Sequence, residues 1–68
     1  MLTPKQIAFI IEEKFFQERE IQCDWFVVGT SVSENEDQHF VLLSEKANCY
    51  CRVTVNFKNE IIYLKFFC

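Results

Sequence analysis

Asn48–Cys68, NCYCRVTVNFKNEIIYLKFFC, reads as one β-hairpin whose two arms agree in register. With Lys58 and Asn59 as a two-residue turn, Phe57 faces Glu60, Val55 faces Ile62, Val53 faces Leu64, Cys51 faces Phe66 and Cys49 faces Cys68. Those rungs make a core face. The alternate rungs, Asn56/Ile61, Thr54/Tyr63, Arg52/Lys65 and Tyr50/Phe67, make a mixed face with polar middle rungs and an aromatic end. A slip of one residue would exchange the two faces, so the agreement of turn and pattern is what sets the register.

The segments before the hairpin supply one helix and two more strands. Thr3 is suited to cap a helix, Pro4 to open it, and Gln6 to complete a Thr-x-x-Gln capping box, with Leu2 and Ile7 as a hydrophobic staple. Ile7, Ala8, Ile11 and Phe15 form one stripe, with Ile10 at its edge, that should lie on a sheet. Phe9 and Phe16 fall on the opposite side, beside Glu12, Glu13 and Glu20. The helical pattern ends by Glu20–Gln22. Cys23–Val32 is rich in β-formers and reads as strand one, with Gly29 marking a bulge or a close backbone approach. Residues 33–38, SENEDQ, are a polar hairpin loop and His39–Ser44 is strand two. A four-residue turn at Glu45–Asn48 puts Phe40, Leu42 and Ser44 inside and Val41 and Leu43 outside. For strand one, Trp25/Val27 and Phe26/Val28 are equally apolar candidates for the inside.

The expected architecture is α+β: one N-terminal helix on a four-stranded antiparallel meander, order 1-2-3-4, in two layers and a single domain spanning residues 1–68. At 68 residues the chain buries only about 60% of its unfolded surface, so help from a partner would matter. Half of the residues are hydrophobic and only one is Gly and one Pro, which excludes a disordered tail. No apolar run approaches the ~18 residues of a membrane span, and MLTPKQ has no basic start followed by an apolar stretch, so a soluble, intracellular (cytoplasmic) protein is expected.

Four cysteines, Cys23, Cys49, Cys51 and Cys68, raise disulfide, metal and redox readings. Cys49 and Cys51 point to the same apolar face of a strand as Val53 and Val55, where cysteine packs as a small hydrophobe, and zinc usually takes Cys-x₂₋₄-Cys on a turn. All four are therefore expected to be reduced and metal-free. Cys49 and Cys68 share a rung, but a two-residue turn makes it a hydrogen-bonded one, with Cα atoms about 5.5 Å apart and less ready for a bridge. His39 is the single histidine and has no Ser or Cys at a catalytic spacing, Gly29 belongs to no phosphate-binding loop, and Glu12 and Glu13 point in different directions. No enzyme, cofactor or small-molecule substrate is read from these residues.

One helix cannot cover both faces of four strands, so the outer face, with Leu43, Tyr50, Ile61, Tyr63, Phe67 and one of Trp25 and Phe26, is the place to look for function. It supports a protein interface, with self or another chain, most simply as a two-fold homodimer. The partner-binding set is Leu43, Tyr50, Ile61, Tyr63, Phe67 and Trp25, with Phe9 and Phe16 on the helix back. The alternative is single-stranded nucleic acid, with Tyr50 and Tyr63 stacking on bases while Arg52 and Lys65 meet phosphates. Charge favours protein. The formal net charge is −3, with three cationic against eight acidic side chains in residues 1–37 and four against two in residues 38–68.

CRVTVNFK followed by IIYLKF resembles the short hairpin at the C-terminal end of some bacterial type I restriction R-subunit-like proteins, in which a Cys-Arg-Leu-x-Phe-Asn strand precedes a Lys-containing turn and an apolar strand. The similarity covers the second half of the chain, with the preceding helix and aromatic strand in the same order. Val53 and Val55 stand where that family has Leu and Phe, and the nuclease part is absent, so no catalytic residue carries over. The resemblance implies an accessory domain from a bacterial or phage setting, linked to DNA defence or its evasion.

Overall fold

A helix capped at Thr3 and four strands of seven residues each make up the computed structural model, which describes residues 1–68. The helix α1 (Pro4–Arg19) precedes β1 (Phe26–Val32), β2 (Gln38–Ser44), β3 (Cys49–Val55) and β4 (Ile61–Phe67), and the strands form one antiparallel sheet in the order β1-β2-β3-β4. The capping box is reciprocal: the Gln6 N–H donates to Thr3 Oγ1 at 3.2 Å and the Thr3 N–H donates to Gln6 Oε1 at 2.8 Å. Arg19 lies in the last turn, a favourable place for a cation, and Glu20 ends the helix in the left-handed region at φ 57°.

Ile7, Ile11 and Phe15 are buried on the inner face of the sheet with Phe40, Leu42, Cys51, Val53 and Val55, as the helical stripe and the strand alternation require. Ala8, Leu64 and Phe66 pack against the same cluster. Trp25 belongs to it as well, at 2% exposure, edge-on to Phe15 with ring centroids 5.1 Å apart and tilted against Phe66 at 5.5 Å. This resolves strand one and corrects one expectation. Trp25 is not on the outer face, because it precedes β1 and fills the space between helix end and sheet, and Phe26, 56% exposed, takes the outer position.

The hairpin keeps its predicted register over five rungs, from Tyr50/Phe67 to Thr54/Tyr63, but its turn differs. The loop is three residues, Phe57–Asn59, closed by the Asn56 N–H donating to the Glu60 carbonyl at 2.9 Å, with Asn59 at φ 63°. Asn56 Oδ1 accepts from the N–H groups of Lys58 and Glu60 at 3.0 and 2.9 Å, an Asx-type brace that favours this loop over the two-residue turn. The extra residue is absorbed by a bulge, so that Val55 pairs with Ile61 instead of Ile62. Ile61 therefore turns inward against the core, and is no outer-face residue, while Ile62 is 55% exposed and Phe57 64%.

Cys49 and Cys68 are joined in a disulfide, which overturns the expectation that all four cysteines are reduced; Cys23 and Cys51 are free and buried. The cause is the same loop. Adding one loop residue and one bulge shifts by one which rungs carry hydrogen bonds, and the Cys49/Cys68 rung becomes a close one, with Cα atoms 4.3 Å apart instead of about 5.5 Å. Gln38, assigned from sequence to the loop, opens β2 and is 6% exposed. Its amide accepts from the Leu2 N–H at 2.8 Å and donates to the Leu2 carbonyl at 3.0 Å, pinning the chain entering the helix to the sheet. No helix is long and apolar enough to cross a membrane.

Candidate functional site

The registers of the three strand pairs place the outer face in three rows. Phe26, Leu43, Tyr50 and Phe67 occupy successive facing positions, one from each strand, and form an unbroken apolar row across the sheet. The next row is Gly29, Val41, Arg52 and Lys65, and the third is Ser31, His39, Thr54 and Tyr63. Phe26, Leu43 and Tyr50 are exposed and Phe67 is half-buried. The four strands contain no Asp or Glu, so every carboxylate lies on the helix or in a loop or connection, and the outer face is cationic through Arg52 and Lys65.

Tyr50 and Phe67 are stacked, with centroids 4.5 Å apart and planes at 7°, and Lys65 Nζ lies 5.1 Å from the Phe67 ring centre. The stack follows from their sharing a rung, where facing side chains are close enough for aromatic contact. The Phe67 ring thus has Tyr50 against one side and an ammonium group in cation–π range. Beside the aromatic row, Gly29 has no side chain opposite Val41, and a depression of about 250 Å³ opens there, lined by Thr30, His39, Val41, Arg52, Thr54 and Tyr63. His39 Nδ1 and Thr54 Oγ1 are 3.1 Å apart within it. No nucleophile–base–orienter chain extends from that pair, and no three His, Cys, Asp or Glu side chains converge to hold a metal ion.

Of the residues expected at the site, Leu43, Tyr50 and Phe67 come together in one row, Arg52 and Lys65 lie one row away, and Tyr63 is two rows away at 46% exposure. Trp25 and Ile61 face the core. Phe9 and Phe16, 62% and 49% exposed, lie on the helix back, where a groove of about 460 Å³ is lined by both rings with Glu12, Glu13, Gln17 and Gln22. A second groove between α1 and β1 has both Phe9 and Phe26 in its wall, together with the charged side chains Lys5, Glu12 and Asp24. Reading the sequence left Trp25 and Phe26 as alternatives for the outer face; Phe26 takes it, and its pairing with Leu43 would have been readable only after the bulge between Val27 and Gly29 was placed.

Comparison with known proteins brings no relative: no family model, no curated protein and no solved structure matches the chain.

Proposed function

We propose that the chain is a non-enzymatic interaction module whose outer sheet face binds protein, most simply a second copy about a two-fold axis. The observation that carries this reading is the Phe26–Leu43–Tyr50–Phe67 row, which spans all four strands where a solvated sheet would carry Lys, Glu and Thr. A two-fold axis through the row would set it against itself and place the Arg52/Lys65 rows of the two copies on opposite sides of the axis. Stacking on single-stranded nucleic acid is the less favoured reading. The Tyr50 and Phe67 rings already stack on each other, Lys65 lies by Phe67, and two cations on a chain of net charge −3 supply little phosphate affinity. The setting in bacterial or phage DNA defence or its evasion belongs to the same proposal and rests on the hairpin residues alone.

The test is a pair of truncations at the centre of the row. Tyr50→Ala combined with Phe67→Ala should leave the circular-dichroism spectrum of the fold intact and weaken self-association, read by sedimentation over a concentration series, by more than ~30-fold, the equivalent of an anchor pair worth over ~2 kcal/mol. Raising salt should change the parent's association little. A parent that stays monomeric, and instead binds a single-stranded oligonucleotide with affinity falling steeply in salt, would replace the interface reading with the stacking one.

A further inference from the structure

The Cys49–Cys68 disulfide is asymmetric in its surroundings. Cys49 is 5% exposed, whereas Cys68 faces solvent. Arg19 Nη1 lies 3.7 Å from Cys68 Sγ, and the same guanidinium rests 5.7 Å from the Phe15 ring centre, with Glu18 as its one carboxylate neighbour at 3.6 Å. On the other side, the Ala47 carbonyl oxygen is 3.2 Å from Cys49 Sγ, within reach of the proton that reduction would place on that sulfur. Each product of reduction thus has a prepared environment. A thiolate at Cys68 would have solvent and a cation beside it, and a protonated thiol at Cys49 would be buried with an acceptor.

We propose that this pair is a thiol–disulfide exchange site, in which Cys68 is the sulfur that takes an external thiolate and Cys49 the one that leaves. The reductant is a dithiol. Its thiolate attacks Cys68 Sγ, the Cys49–Cys68 bond breaks, and the electron pair goes to Cys49, which takes up a proton and donates it in a hydrogen bond to the Ala47 carbonyl. The second thiol of the reductant, deprotonated, then attacks its own first sulfur and releases Cys68 as a thiolate beside Arg19. Two electrons pass from the dithiol to the protein pair, and the reductant ends as a disulfide. The cation favours both halves, since it draws an anionic nucleophile to Cys68 and makes Cys68 the better leaving group in the second step. Cys51, two residues from Cys49 and facing the same side, is held out of the exchange: burial pushes its thiol up to about 12.

The exchange acts on the outer face through chain connectivity. Cys49 and Cys68 are the immediate neighbours of Tyr50 and Phe67, and the Tyr50/Phe67 rung is the last of the β3–β4 ladder, so the disulfide is what anchors the stack beyond its own hydrogen bonds. Opening it frees the end of β4 and loosens Phe67 in the apolar row. This consequence rests on the outer-face reading; the exchange chemistry does not.

Two measurements on the full chain separate them. The chain is reduced with dithiothreitol, freed of the reductant and pulsed with iodoacetamide, which caps a thiolate irreversibly, and the modified cysteine is located by peptide mass. Cys68 should be modified first, by at least tenfold over Cys49, with Cys23 and Cys51 unmodified in the folded protein. Arg19→Gln should slow the reaction of Cys68 several-fold at neutral pH, and Arg19→Lys should restore most of the rate. Equal reaction of Cys49 and Cys68, or an Arg19→Gln rate equal to the parent's, would overturn the exchange assignment; alkylation of the parent decides the first point even if Arg19→Gln fails to fold. Sedimentation of the reduced chain should show weaker association than the oxidised chain. Cys68-selective chemistry with unchanged association would overturn the coupling to the row, and a parent that never associates would overturn the outer-face reading with the exchange site intact.

Discussion

Val53→Asp is expected to abolish folding, whereas Thr54→Asp, one residue along the same strand, leaves the domain folded. Val53 is 1% exposed at the middle of β3, between Phe40 on β2 and Leu64 on β4, so its replacement places a carboxylate in the core with no partner. Such a group costs several kcal/mol, comparable with the roughly 3–10 kcal/mol that a domain of this length has in total. Thr54 points to the outer face, where its hydroxyl meets His39, and an acid there keeps access to water. Thermal denaturation by circular dichroism distinguishes the two, and comparable loss in both variants would mean that the two faces have been wrongly assigned.

Phe15→Ala is expected to cost about 3–5 kcal/mol, the usual range for a buried aromatic replaced by Ala. Phe15 is 1% exposed and makes edge-on contacts with both Trp25 and Phe66, at 5.1 Å in each case, so it joins the helix to the connection before β1 and to β4 at once. Its loss leaves a cavity that a helix held at its N-terminus by Thr3 and Gln38 can close only in part. Phe16→Ala, on the exposed helix back, should cost under ~1 kcal/mol. Urea unfolding of the two variants checks the difference; equal costs would contradict the assignment of the helix faces.

The disulfide adds to this margin. It closes a sequence separation of 19 residues, for which the chain-entropy relation gives about 3 kcal/mol of stabilisation, a large share for a chain this short. That is the help a small core needs, and it is supplied by a bond that the exchange chemistry proposed for Cys68 would open.

The helix, its cap and the strand order were legible because several signals agreed: Thr3, Pro4 and Gln6 at the start, a stripe of Ile7, Ile11 and Phe15, and alternation in β2 and β3 clear enough to allow one inside. What was not legible turned on single extra residues between chemically equivalent neighbours. Ile61 and Ile62 are identical side chains, so no hydrophobic pattern could say which of them the bulge would push outward, and Asn56, the residue that selects the longer loop, acts through its side-chain oxygen and not through its hydropathy. That one unread residue also reversed the reading of the cysteines, because it changed the spacing of the Cys49/Cys68 rung. Trp25 and Phe26 posed the same difficulty at strand one. Which ring goes inside is decided by Phe15 and Phe66, residues 10 and 41 positions away from Trp25, and not by the local sequence.

For the candidate site, the aromatic end of the outer face was visible in Tyr50 and Phe67, whereas its extension to a full row needed the β1–β2 register that Val28 interrupts. The row is the claim on which the functional reading stands, and isotope-filtered nuclear Overhauser spectroscopy on a mixture of labelled and unlabelled chains tests it most directly. The expected result is a set of intermolecular contacts from the Leu43 methyl groups to the Phe26, Tyr50 and Phe67 rings of a second copy. Intermolecular contacts centred on Phe9 and Phe16 instead, or none at concentrations where the chain is saturated with itself, would contradict it.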